Sequence, residues 1–140
     1  MMVQGILIPV FVLVAITFVF LFWAGGLRAG NLRSGAVKAD TIALREPNWP
    51  KRTTQIGCAY ANTLELPILF YVLVALLIET KHADLLFVIL AWLFVLARIF
   101  HAGIHITGND PQRRGPVFGL GALVLAVMWI VFAVEILTYT

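Results

Sequence analysis

The sequence predicts an all-α integral membrane protein, a single four-helix bundle that takes in the whole chain from 1 to 140. Three observations carry this. Of the 140 residues, 61% are hydrophobic and only 12% charged, about half the charged share of a typical soluble domain. Four apolar runs are long enough to cross a bilayer as helices, which takes about 20 residues each; they cover roughly 4–27, 55–78, 85–107 and 115–138. The basic residues also alternate in density from loop to loop, as they do in multi-pass chains.

The first run holds no interior polar residue beyond Thr17. It lacks a basic leading region and is too long for the core of a signal peptide, so it reads as a spanning helix. The stretch from Arg28 to Thr54 carries Arg28, Arg33, Lys38, Arg45, Lys51 and Arg52 against only Asp40 and Glu46. Gly25, Gly26, Gly30, Gly35, Pro47 and Pro50 argue against a continuous helix through it. A connection this long is expected to carry some structure of its own and to lie over one mouth of the bundle.

In the second run Pro67 predicts a kink, because proline lacks the backbone N–H and crowds the preceding turn. The turn to the third run carries Glu79, Lys81, His82 and Asp84, with His82 expected in water. The third run ends near Thr107-Gly108, and Asn109-Asp110-Pro111 reads as a turn. Gly115-Pro116 is expected to open the fourth run, where proline fits the first helical turn. Gly115, Gly119 and Ala122 offer a small-residue face for close helix packing in lipid. Glu135 lies near the far end, within reach of water.

Both basic loops lie on one side, so the positive-inside rule places them in the cytoplasm and both termini on the non-cytoplasmic side. The four tryptophans and Tyr139 read as interface anchors or packing residues. Cys58 is the only cysteine, which excludes an intrachain disulfide, and reads as a small packing residue. No phosphate-cradling glycine loop, nucleophile elbow or dinucleotide fingerprint is present, and no nucleic-acid partner is expected. Membrane lipid is the expected surrounding.

Polar residues inside the second and third runs are the candidate site, since ionisable groups at bilayer depth are costly and face a partner or a wet cavity. Gln55, Cys58, Asn62 and Glu65 fall on one helix face, and Arg98, His101 and His105 on another. The two helices run antiparallel, so the stripes are expected to meet. Matching their depths pairs Arg98 with Glu65 and sets His101, His105, Asn62 and Gln55 nearer the basic end. Three uses compete for the cluster. It could be a structural ion pair with hydrogen bonds that fix register. It could be a pocket for an anionic, peptide-like ligand, with Arg113 and Arg114 supplying charge and Asn62 hydrogen bonds. Or His101 and His105, with Glu65, could chelate a metal, although no carboxylate accompanies the histidines on their own helix.

The run Gln55-x6-Asn62-x2-Glu65-x-Pro67-x2-Phe70, followed by Arg98-x2-His101-x3-His105 and then Arg114, resembles the MAPEG family, membrane-associated proteins of eicosanoid and glutathione metabolism. The resemblance extends over nearly the whole chain. It implies a homotrimer of four-helix bundles with glutathione held between subunits, near the cytoplasmic side. It implies glutathione-dependent transferase or peroxidase activity on a lipophilic electrophile. Arg114 matches the arginine that activates the thiol, Asn62 and Glu65 match positions that contact glutathione, and His101 matches a position lining the same site. Gln55, Arg98, His105 and Arg113 complete the expected binding set. The chain departs from the pattern where family enzymes carry carboxylate-holding arginines before the asparagine: Gln55, Cys58 and Ala61 stand there. His105 replaces a frequent tyrosine, and Gly115 follows Arg114 in place of a polar residue. These departures leave an alternative open, a non-catalytic membrane protein that keeps the fold for assembly or lipid binding.

Overall fold

The computed structural model describes residues 2–139, folded as five α-helices that make four membrane-spanning units. These are α1 (Val3–Arg33), α2 (Lys51–Asn62) with α3 (Leu66–Glu79) as one interrupted span, α4 (Leu85–Ile106) and α5 (Pro111–Thr138). The protein is therefore a multi-pass integral membrane protein. α4 is the central helix and packs against α1, α2 and α5.

The core is aromatic and aliphatic, with Phe70, Leu73, Leu77, Phe87, Phe94 and Met128 fully buried. Phe70 and Phe94 stack with ring centroids 4.8 Å apart, which locks α3 against α4. Outward faces stay apolar, as a lipid-facing surface requires: Phe22, Phe100, Leu123 and Ile130 are all exposed. The close approach of α4 and α5 falls at Gly121, where a Cβ would stand 3.5 Å from the Ala97 Cβ. The expected small-residue face does not serve this purpose. Gly115 and Gly119 have nothing within 4 Å of where a Cβ would lie.

Helix boundaries differ from the sequence reading in three places, each for a local reason. α1 passes through Gly25, Gly26 and Gly30 and stops only after Arg33. A helical glycine costs about 1 kcal/mol, but an unpaired backbone group in lipid costs several, so the helix persists through Gly25 and Gly26, within the apolar run. Gly35, at φ 76°, provides the left-handed residue that ends it. The polar connection that follows is correspondingly shorter, with one 3₁₀ turn at Ala39–Thr41. Trp49 pins it back on α1, and α2 is tied to α1 directly. Arg28 stacks over Trp49 at 5.5 Å and Arg52 over Trp23 at 5.1 Å, and Thr53 Oγ1 donates to Asn31 Oδ1 at 2.6 Å.

The second correction is that the bend expected at Pro67 is a full break, with Thr63, Leu64 and Glu65 outside either helix. The third is at α5, which starts at Pro111 and not at Gly115. Asp110 is its N-cap and accepts from the Gln112 amide at 3.0 Å, so Pro111 and not Pro116 takes the position where a missing N–H is harmless.

Candidate functional site

The break between α2 and α3 organises the site. Pro67 cannot donate to the Thr63 carbonyl, so the helical ladder fails just before it. Arg98, from α4, reaches into the gap, and its Nη2 donates to the Asn62 carbonyl at 2.9 Å. The Thr63 hydroxyl folds back to donate to the Tyr60 carbonyl at 2.6 Å. Arg98 is only 5% exposed, and its guanidinium lies 5.6 Å from the Phe118 ring centre. The expected Arg98–Glu65 ion pair is not formed: among the described residues the single salt bridge is Arg113 Nε to Asp110 Oδ2, at 3.8 Å. The Asn62 carbonyl, open because α2 ends there, takes the guanidinium instead.

A second set of contacts joins α2 to the end of α4. The last carbonyls of a helix have no partner within it. Gln55 Nε2 donates to two of them, from His105 at 2.9 Å and from Thr107 at 3.0 Å. Arg52 Nη1 donates to the Ile106 carbonyl between them and to Gln55 Oε1 at 3.3 Å. Gln55 thus clamps two helices together and also faces the site.

Above this clamp and beside the break opens a cavity of about 860 Å³, within the size range of small-molecule sites. Its wall includes Gln55, Asn62, Glu65, His101, His105 and Arg114. Asn62 Nδ2 lies 3.4 Å from both ring nitrogens of His101. The His101 and His105 rings meet edge to face with centroids 5.7 Å apart. Arg114 is aimed by the turn before it: its Nη1 donates to Asn109 Oδ1. Asn109 adopts φ 52°, a left-handed conformation that asparagine tolerates well.

Six of the eight residues singled out from the sequence thus share one wall. The other two do not. Arg98 lies behind it, lining a small second cavity with Asn62, His101 and His105. Arg113 points to solvent, its side chain 82% exposed. Among the described residues no three His, Cys, Asp or Glu side chains are grouped to hold a metal, so the chelation reading gains nothing from the geometry. Sequence reasoning missed Asn109, Lys51 and Phe118, all on the cavity wall. Phe118 was legible in principle, because it follows Arg114 by four residues and so shares its face. Asn109 was not, because its role depends on backbone conformation.

The chemistry follows from the wall. Lys51 and Arg114 bring two cations against the single carboxylate of Glu65, with amides and imidazoles between them. Such a surface suits an anionic, amide-bearing molecule, and a guanidinium beside a thiol favours its thiolate. A model of the MAPEG family matches residues 6–134. No curated protein and no solved structure matches the chain.

Proposed function

This chain belongs to the MAPEG family, and on that footing we propose that it is a glutathione-dependent transferase or peroxidase acting on lipophilic electrophiles, built as a homotrimer. The observation that carries this reading is Arg114 on the same cavity wall as Asn62, Glu65 and His101. Glutathione suits this donor set, with carboxylates for Lys51 and Arg114 and amides for Asn62. The thiol is the reacting group, and Arg114 stabilises its thiolate. Glu65 offers an acceptor for an ammonium or amide. The electrophile enters sideways from lipid, past the apolar outer faces of the bundle. The basic loops face the cytoplasm and both termini lie on the other side, so the cavity opens where cellular glutathione is reduced.

The trimer has a physical rationale in the single chain. Glu65 is exposed at the break and lines the cavity, and a carboxylate at membrane depth is costly unless it faces a wet recess or a partner. A neighbouring copy closing over the cavity mouth would remove that cost.

Arg114→Ala should lower conjugation turnover by about 10²- to 10³-fold, the usual effect of losing one anion-stabilising donor, while the oligomer elutes unchanged. Wild-type turnover in this variant would reject the assignment. The second reading, a non-catalytic protein using the same fold for assembly or lipid binding, draws on Gln55. Its amide is engaged by backbone carbonyls, at a position where an enzyme needs ligand contacts. Titrating glutathione into detergent-solubilised protein separates the two. Saturable binding favours the enzyme, and no binding at millimolar ligand favours the alternative.

A further inference from the structure

Two buried polar atoms on the described residues have no hydrogen-bond partner near the site: Arg98 Nη1 and His105 Nδ1. They belong to side chains only 5% and 6% exposed. Orphaned groups of this kind are rare in native interiors and call for an explanation. Both residues line one small cavity behind the main one, bounded also by Ala59, Asn62, Thr63 and Ala102. Its volume is about 10 Å³, roughly that needed for one water molecule.

We infer that a single water in this small cavity bridges Arg98 Nη1 to His105 Nδ1 and thereby fixes His105 as its Nε2–H tautomer, a hydrogen-bond donor to an acceptor group of a ligand in the large cavity. The direction of the bridge follows from Arg98. A guanidinium has only donors, so its N–H points at the water oxygen and turns the water protons away. One of those protons then meets the lone pair of Nδ1. In the resulting chain of donor, water and imidazole, each bond polarises the next. With Nδ1 held as acceptor, the ring proton resides on Nε2. His105 lines the large cavity as well as the small one, which puts this residue between the water and a ligand. Arg98 is then a positioning residue: it touches no ligand itself and sets which group His105 presents. The ligand moiety selected is an oxygen acceptor such as a carboxylate or an amide carbonyl. None of this depends on the ligand being glutathione.

The test is ¹⁵N NMR of histidine-labelled full-length protein in detergent micelles, without ligand. The chain has three histidines, and His105→Gln identifies the His105 signals by their loss. We expect wild-type His105 as one tautomer, with a pyridine-type Nδ1 and a protonated Nε2. Arg98→Lys, which moves the donor, and Ala59→Val, whose added methyls take the water's space, should each turn this into a mixture of tautomers. Helical circular dichroism selects the variant that remains folded for comparison. A proton on Nδ1 in the wild type, or a wild-type mixture of tautomers, overturns the inference. So does an unchanged single tautomer in the folded variants. Should both substitutions disrupt folding, a wild-type mixture of tautomers or a proton on Nδ1 still overturns the inference.

Discussion

Arg98 shows how a buried cation can be held without a carboxylate. Its neighbours are a carbonyl left open where α2 ends and the face of Phe118. Replacing a buried charge with an apolar side chain is often tolerated, so the loss of charge alone would be nearly neutral. The Asn62 carbonyl changes that balance, because a buried acceptor left unmade costs about 1–3 kcal/mol. Arg98→Leu should therefore destabilise the protein by about that amount, and Arg98→Lys, which retains a donor, by less. Thermal unfolding in detergent checks the order of the two; a Leu variant as stable as wild type would show that the carbonyl finds another donor. The sequence made Arg98 conspicuous through its depth in an apolar run. It could not reveal the partner, because depth-matching compares side chains, while the acceptor here is backbone and exists only once the helix has broken. The same limit hid Asn109, whose contact with Arg114 depends on a left-handed backbone angle.

At the scale of elements, the apolar runs fixed the number of spans and the identity of the faces, but not where helices end. Glycines and prolines signalled interruption with rules suited to water. In lipid the backbone must pair within its own segment, so α1 runs on through Gly25 and Gly26. Prolines do not all interrupt either: Pro9 and Pro116 lie inside unbroken helices, and only at Pro67 is a span broken. α5 was misread in the opposite sense: Asp110 as a cap outranks Gly115-Pro116 as a start signal. The clamp between α2 and α4 was invisible, since a glutamine among apolar residues looks like a ligand contact. Its physical role is to pair two carbonyls that α4 cannot satisfy. Gln55→Leu should remove both hydrogen bonds at a cost of about 1–3 kcal/mol and loosen the end of α4. Hydrogen exchange at the amides of Thr107 and Asn109 should accelerate more than at the amides of α3. Equal acceleration everywhere would mean global destabilisation without a local clamp. Because the turn at 107–109 aims Arg114, the same variant should also weaken ligand binding.

At the scale of the whole molecule, the site lies at one end of the bundle, and its use depends on which side of the membrane that end faces. The cavity is lined by Lys51 and by the 107–109 turn, so it opens beside the two basic loops. Lys and Arg in short loops are retained in the cytoplasm, and reduced thiols are abundant there while outer compartments are oxidising. The charge distribution predicts one orientation, and the proposed thiol chemistry needs the same one. In a Cys58→Ser background, Ser34→Cys marks the basic side and His82→Cys the opposite turn. A membrane-impermeant maleimide applied to intact cells should label His82→Cys at once and Ser34→Cys only after permeabilisation. The reverse pattern would turn the cavity toward an oxidising compartment, where a thiolate-stabilising Arg114 has no reduced partner to act on. The glutathione reading would then fail even with the fold and the cavity intact.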